Sequence, residues 1–201
     1  GRASALAIAR RGAKVALCSR NGEEAAAAAK EIAEEAGVET WHCAADVSQA
    51  NGVKDFVEGA AARFGGVDVL VSNAGGPPQG EFKDFSEADW QSAFELSVMS
   101  AIRLVGAVLP HMKGRGYGRI LFMLSSSVKE PIDNLLLSNV MRPAVAGLSK
   151  SLSKELAGEG ILVNVVAPGA VLTDRVRQNR TADAERRNIS FDEAIDRVTK
   201  Q

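Results

Sequence analysis

The stretch KVALCSRNGEEAAAAAKEIAEEAGVETWHC, residues 14–43, decides the fold class of this sequence. It opens with a short apolar run at 14–18 and continues through 23–36, where alanine and isoleucine recur at helical spacing. Gly37 stops the helical pattern, and 39–43 form a second strand-like run. A strand, a helix and a strand in this order predict parallel pairing of the two strands, because parallel strands are usually joined through a helix.

The same alternation continues on both sides of this stretch. Helical patterns cover residues 1–11, 51–64, 86–112 and 137–157, and strand-like apolar runs cover 67–71, 118–124 and 161–166. Strands that alternate with helices predict a doubly wound parallel sheet of the Rossmann type, an α/β fold with three α/β/α layers. Nearly every strand is apolar on both sides, as expected of a sheet that is covered on both faces.

The two ends of the chain differ from this regular pattern. The chain starts at Gly1, without methionine, and enters a helical pattern with no strand before it. We therefore expect residues 1–201 to form a single, incomplete Rossmann-type dinucleotide-binding domain that is truncated at its N-terminal strand. The tail, 173–201, is rich in Arg, Asp and Glu with weak helical patterning, which predicts a helical flap over the substrate or, alternatively, a solvated end.

Charge and cysteine usage limit the function classes. The 24 basic and 25 acidic residues nearly balance, which argues against nucleic acid or an anionic membrane as the main partner. No uninterrupted apolar run reaches the roughly 18 residues that a membrane span needs. Cys18 and Cys43 lack the spacing of a metal or redox motif, so we expect no metal site, and we expect buried, reduced thiols in a cytoplasmic protein.

An open parallel sheet binds its ligands beyond the carboxyl ends of its strands, so the residues that follow each strand are candidate ligand-binding residues. Ser19 and Arg20 follow the first strand, where a dinucleotide places its adenosine ribose. An arginine without an acid favours the 2′-phosphate of NADP over the 2′-hydroxyl of NAD, unless Arg20 is merely solvated. Asp46 and Val47 follow the second strand and could bind and pack on adenine, although Asp46 could instead cap the next helix.

Small and hydroxyl-bearing residues follow the later strands. They are Asn73, Ala74 and Gly75 after the third strand, Ser125 after the fourth, and Pro168, Gly169 and Thr173 after the last. Small residues let the backbone approach a ligand closely, and a serine hydroxyl could bind a substrate carbonyl. We expect the last group to cover the nicotinamide. For the residues after the third strand the alternative is a plain turn, and for Ser125 it is a serine-rich loop that caps its own backbone. For the residues after the last strand it is an ordinary loop in which Pro and Gly end the strand.

Four short motifs lie in a characteristic order along the chain. They are Asn73-Ala74-Gly75, Leu109-Pro110-His111-Met112, Gly118-Arg119-Ile120 leading to Ser125, and Val163-Asn164 leading to Pro168-Gly169. Together they resemble the short-chain dehydrogenase/reductase family over the whole chain, and within it a divergent branch of the 3-oxoacyl carrier-protein reductases. The resemblance implies a glycine-rich phosphate-binding turn that ends at Gly1, and a final helix and strand beyond Gln201.

The resemblance also implies an activity. It is hydride transfer between NADP(H), with NAD less favoured, and a small-molecule carbonyl or secondary alcohol, such as a 3-oxoacyl-type ketone. The helices at 86–112 and 137–157 resemble the pair through which family members form dimers or tetramers, so a homo-oligomer is expected.

The family's catalytic residues are Asn, Ser, Tyr and Lys, the last two as Tyr-x-x-x-Lys, and the tyrosine transfers the proton. By the resemblance the serine is Ser125, whereas Ser97, Ser138 and Arg142 stand at the positions of the Asn, Tyr and Lys. Arg142 keeps a positive charge that can bind the cofactor ribose, but a guanidinium stays protonated and therefore cannot act as a proton donor. The single tyrosine, Tyr117, lies in a turn before a strand, near the opposite end of the sheet.

Three hypotheses remain open at this point. The first is a reductase whose proton comes from Lys129, from a water held by Ser125 and Ser138, or from the substrate. The second is a cofactor-binding sensor or pseudo-enzyme subunit without turnover, and the third is a subunit whose main role is assembly. Ser125 and Arg142 favour the first hypothesis, and the absent tyrosine favours the second.

Pro143 lies inside the helical pattern at 137–157. A proline in a helix interior costs about 3 kcal/mol, and one in the first turn costs little. We therefore expect this helix either to begin late or to bend beside the active site.

Overall fold

A computed structural model describes residues 1–169, 171, 176–177, 181, 184–185, 187–193 and 195. The chain divides into two compact units, Gly1–Ala167 and Pro168–Gln201. In the second unit Ala184 is buried, and Ser190 begins a helical turn by accepting a hydrogen bond from the amide of Glu193 at 3.2 Å. Most of the predicted flap lies outside the described residues, so that prediction stays open.

Strands and helices alternate in the first unit, as the sequence predicts. The strands among the described residues are Val15–Ser19 (β1), Thr40–Ala44 (β2), Val69–Ser72 (β3), Gly118–Met123 (β4) and Ile161–Val166 (β5). The α-helices of this unit are Arg2–Ala9 (α1), Gly22–Ala36 (α2), Ala50–Phe64 (α3), Glu87–Phe94 (α4), Ser100–Lys113 (α5) and Leu136–Glu155 (α6). The element type is therefore confirmed for each pattern in the first unit.

The strand pairs in the described part of the chain are all parallel, which confirms the predicted fold class. β1 pairs with β2, with Ser19 opposite Ala44, and β4 pairs with β3 on one side and β5 on the other. In the described part of the chain these are two separate sheets, β1-β2 and β3-β4-β5. The carboxyl ends of neighbouring strands meet, since the amide of Ala45 donates to the carbonyl of Ser19 at 2.9 Å and that of Leu124 to Val166 at 2.8 Å.

Local signals in the sequence account for the helix ends. Gly37 and Gly65 end α2 and α3 with φ angles of 67° and 82°, the left-handed conformation that glycine adopts without strain. Ser86 and Asp89 form the predicted capping box at the start of α4, and the amide of Ser86 donates to Asp89 Oδ2 at 2.8 Å.

A π-helical segment, Glu95–Met99, joins α4 to α5 and makes one continuous helix from Glu87 to Lys113. By length and composition this helix could cross a membrane, with a mean hydropathy of 1.5 over 18 residues. Its residues Leu104, Val108 and Met112 are buried in the main hydrophobic core, which gives a core helix the same composition. Charged residues interrupt the apolar ones along this helix, so no continuous apolar run marks it in the sequence.

Helix α6 is formed through Pro143. The helix begins at Leu136, so Pro143 lies beyond the first turn, and the prediction of a late start is wrong. Proline cannot donate to the carbonyl four residues earlier, which belongs to Asn139. The Asn139 side chain instead holds the preceding loop, because Oδ1 accepts from the amide of Ile132 at 3.1 Å and Nδ2 donates to its carbonyl at 2.8 Å.

Candidate cofactor and active site

A cleft of about 280 Å³ contains residues from the loops beyond β1 and β2. Arg20 and Asp46, which the sequence places after separate strands, both line this cleft. The other lining residues are Ser48, Gln49, Gln91, Ser92, Glu95 and Leu96. Those from α4 and the π-helical segment were not predicted, because nothing in their local pattern distinguishes them from other helical residues.

Asp46 is held as an ionised acceptor. Its Oδ1 accepts from the hydroxyl of Ser48 at 2.7 Å and from the amide of Ser48 at 2.9 Å. These two bonds, with the charge of Arg20 adding to them, hold the pKa of Asp46 below its ordinary value against the opposing effect of burial. Asp46 therefore orders the turn before α3, while Gln49 occupies the N-cap position of that helix. The partly buried Val47 packs against the main core.

The turn after β1 is ordered by its own side chains. Asn21 caps α2 by accepting from the amides of Glu23 and Glu24 at 3.0 and 3.4 Å. Ser19 Oγ accepts from the amide of Asn21 at 3.2 Å and donates to Glu24 Oε2 at 3.5 Å. The carboxylate of Glu24 thus lies beside this turn, and Arg20 is exposed within it.

Gly1 and Asn73 lie next to each other, although they are far apart in sequence. A Cβ atom on Gly1 would lie 3.3 Å from Nδ2 of Asn73. Ala74 is half-buried and Gly75 is exposed. The structure therefore brings together the two residue groups for which the sequence predicted a close approach of backbone to cofactor.

The loop after β3 is tied to the start of α6. The amide of Gly80 donates to the carbonyl of Asn134 at 2.9 Å, and the amide of Leu136 donates to the carbonyl of Gly80 at 3.4 Å. These bonds join the segment that follows Asn73 to the segment that precedes Ser138.

Ser125 and Arg142 both lie near the carboxyl end of β4. Arg142 Nη1 donates to the carbonyl of Met123, the last residue of that strand, at 3.0 Å. Ser125 is half-buried, and its Oγ accepts from the amide of Ser127 at 3.2 Å. Ser138 precedes Arg142 by one helical turn and is half-buried, so both side chains lie on the same face of α6.

Ser97 lies in the π-helical segment, which packs against α6. Its Oγ atom is buried and has no hydrogen-bond partner among the described residues. Single π-helical turns inside α-helices are rare in proteins overall. Where they do occur, they are often found at functional sites. A buried hydroxyl without a partner is costly, so a ligand or water at this position would satisfy it.

Other predicted residues lie elsewhere. Tyr117 precedes the amino end of β4, and the centre of its ring lies 4.3 Å from the Cζ atom of Arg119. Ser125 follows the carboxyl end of the same strand, which confirms that Tyr117 lies far from it. Pro168 and Gly169 belong to the second unit, and Thr173 lies outside the described residues.

Cys18 and Cys43 lie opposite each other on β1 and β2 as free thiols. The sequence predicted that both would be buried, whereas the structure shows both half-buried. Burial raises the pKa of Cys18 to about 12 and also raises the pKa of Cys43. Because the thiolate is the reactive form, neither thiol suits nucleophilic chemistry.

The residues at this edge fit a nicotinamide dinucleotide. Arg20, Asp46 and Ser48 offer a cation and hydrogen-bonding groups on one cleft, and Gly1 and Asn73 offer a close backbone approach. Ser125, Ser138 and Arg142 lie at the end of the sheet where a substrate would meet the nicotinamide.

Comparisons with known proteins support this interpretation. The family profile described as short chain dehydrogenase matches residues 1–184. A protein described as a ketoacyl reductase in Streptomyces coelicolor is 34% identical over 200 residues, which cover 96% of this chain and 76% of that protein.

Two solved structures are also similar. L-sorbose reductase from Gluconobacter frateurii, complexed with NADPH and L-sorbose, has a TM-score of 0.87 and 32% identity, and the match covers 92% of this chain and 71% of that one. NAD⁺-bound xylitol dehydrogenase has a TM-score of 0.85 and 26% identity, with 92% and 72% covered.

Proposed function

Since this chain belongs to the short-chain dehydrogenase/reductase family, we propose that it is an NADP(H)-dependent oxidoreductase with an altered proton path. Its substrate is a small molecule with a carbonyl or secondary alcohol, of the 3-oxoacyl type. The observation that carries the proposal is the convergence of Arg20 and Asp46 on one cleft at the carboxyl ends of β1 and β2.

Arg20 is the residue that favours NADP(H) over NAD(H). Its guanidinium offers paired donors that match a 2′-phosphate, and Asp46 beside it is already engaged by Ser48. The neighbouring carboxylate of Glu24 opposes this preference. The two structural relatives, one with NADPH and one with NAD⁺, do not decide between the cofactors.

The residues at the reacting end have separate roles in this proposal. A bound NADPH would supply the hydride. The hydroxyl of Ser125 orients the substrate carbonyl, and the fixed charge of Arg142, held at the end of β4, attracts the anionic cofactor and its ribose hydroxyls. Ser138 is a poor acid, so the proton comes from Lys129, a bound water or the substrate itself.

The full protein is expected to bind NADPH at least about tenfold more tightly than NADH, and Arg20→Asp is expected to reverse that order. The reason is that aspartate repels a 2′-phosphate and accepts from a free 2′-hydroxyl. Fluorescence titration with both cofactors measures the two affinities, and Arg11→Asp, at an exposed turn, is the control for the change of charge. Equal affinities of the parent for the two cofactors would contradict the proposal.

A second function, cofactor binding without turnover, is favoured by one observation. The single tyrosine of the chain lies at the amino end of β4, away from the site. The cofactor residues serve both functions equally, so only hydride transfer distinguishes them.

We also propose a homo-oligomer and a cytoplasmic location. Ile102 on α5 and Val140 on α6 are 41% and 47% exposed, which leaves apolar surface on the helices expected to pair between copies.

A further inference from the structure

Arg103 connects the cleft to the helix behind it. Its Nη1 atom donates to the carbonyl of Ser48 at 2.6 Å and lies 2.7 Å from Oε2 of Glu95. The side chains of Arg103 and Glu95 are only 24% and 31% exposed, so water screens this ion pair less than an exposed one. One guanidinium nitrogen therefore joins α5 to the turn after β2 and to the first residue of the π-helical segment.

The π-helical segment is stabilised at the same place. The amide of Ser100 donates to the carbonyl of Glu95, five residues earlier, instead of to Leu96 as in an α-helix. The carbonyl of Leu96 instead accepts from the buried hydroxyl of Ser100. Gln91 Nε2 donates to Oε1 of Glu95 at 3.2 Å, so both oxygens of that carboxylate have donors.

We infer that Arg103 is a positioning residue that holds the cofactor-side turn at 46–48 and the π-helical segment in one arrangement. It acts through Ser48 and Glu95, which line the cleft, whereas Arg103 is not among the cleft's lining residues. This role rests on the proposed function, since it concerns the affinity of the cleft for a dinucleotide.

Two physical effects follow from removing the guanidinium. The Ser48 carbonyl loses a charged donor, which loosens the turn in which Asp46 and Ser48 are bonded. Glu95 also loses its cation, and an unpaired carboxylate on the wall of the cleft repels an anionic cofactor.

Arg103→Met in the full protein is expected to weaken NADPH binding about tenfold or more, because both effects act on the cofactor side. Where turnover is measurable, the loss falls on KM for NADPH and less on kcat. Adding Glu95→Gln to Arg103→Met is expected to restore part of the affinity, because it removes the unpaired charge. Arg103→Lys keeps the cation and is expected to weaken binding less than Arg103→Met does.

Arg115→Met is the matched control. Arg115 also bridges a carboxylate and a carbonyl, with Nη1 2.6 Å from Asp68 Oδ1 and Nη2 2.6 Å from the Gly65 carbonyl, but it precedes the amino end of β4. This substitution is expected to lower the melting temperature without changing the affinity for NADPH.

Hydrogen exchange gives a readout that does not depend on function. Faster exchange at residues 46–50 and 95–100 in cofactor-free Arg103→Met supports the inference, even if the parent binds no dinucleotide and the proposed function fails. Should Arg103→Met not fold, Arg103→Lys and Glu95→Gln are measured in the same way. The inference is overturned if Arg103→Met exchanges its amide hydrogens at the rate of the unmodified protein and binds NADPH with the same affinity. It is also overturned if Arg103→Met and Arg115→Met lose affinity for NADPH equally.

Discussion

Ser138→Tyr combined with Arg142→Lys is expected to raise the rate of carbonyl reduction by a large part of the factor of about 10²–10⁴ that a positioned general acid contributes. The two positions lie one turn apart on α6, which is formed through Pro143. Arg142 lies at the carboxyl end of β4, where Ser125 follows. A phenol at 138 with an ammonium at 142 would therefore have a cation beside it that lowers its pKa.

The rates are measured by single-turnover oxidation of NADPH with a panel of small ketones and 3-oxoacyl esters. Ser138→Phe with Arg142→Lys is the matched control, because it adds the ring without the hydroxyl. Equal rates in the tyrosine and phenylalanine variants would show that position 138 does not face the reacting carbonyl. Loss of a robust parental activity in Ser138→Ala would place Ser138 in a working proton path.

Gly52→Ala is expected to destabilise the protein by about 1–3 kcal/mol and to abolish tight NADPH binding. A Cβ atom at this position would lie 2.3 Å from the carbonyl oxygen and 3.0 Å from the carbonyl carbon of Asp46. The obstacle is backbone, so the turn itself must move. Asp46 and Ser48 then lose the geometry of the bonds that hold the ionised carboxylate at the cleft.

Thermal melting and NADPH titration measure the two effects of Gly52→Ala separately. Gly158→Ala is the control, because no atom of the described residues lies within 4 Å of the added methyl group, and little change is expected. Parental affinity for NADPH in Gly52→Ala would mean that the turn at 46–48 does not contribute to the cofactor site.

Local sequence signals predicted most of the fold. The apolar run at 14–18, the helical spacing at 23–36 and the stop at Gly37 are read from neighbouring residues, and each reappears in β1 or α2. The capping box of Ser86 and Asp89 is local in the same way. Short-range patterns of this kind depend on backbone preferences, which tertiary packing left unchanged here.

Long-range contacts explain what the sequence did not predict. Arg103 and Ser48 are separated by 55 positions, and no periodicity relates them. The residues of the π-helical segment follow an ordinary helical pattern in the sequence. What distinguishes the segment is a shifted hydrogen bond at Ser100 and the contacts of the Glu95 side chain, which the pattern does not show. In the sequence, Gly52 looks like any other glycine within a helix. Only the structure shows that the backbone of Asp46 lies too close to leave room for a Cβ atom there.

The candidate site was predicted in outline because the topology of a parallel sheet fixes where the loops meet. Arg20 and Asp46 converge, as do Gly1 and Asn73. The identity of neighbouring side chains, such as Glu24 beside Ser19, needed the structure. The roles of Ser97, Ser138 and Arg142 come from the family resemblance and remain predictions.

Transfer of deuterium to a ketone from NADPH that is deuterated at both C4 positions is the most direct test that this chain moves a hydride. The full protein is incubated with the labelled cofactor and a 3-oxoacyl ester, and the alcohol product is analysed by mass spectrometry. We expect deuterium on the new carbinol carbon, at a rate that Ser138→Ala leaves nearly unchanged and that Arg142→Ala lowers through weaker cofactor binding. Tight binding of NADPH without any labelled alcohol, across the whole substrate panel, would contradict the proposed oxidoreductase.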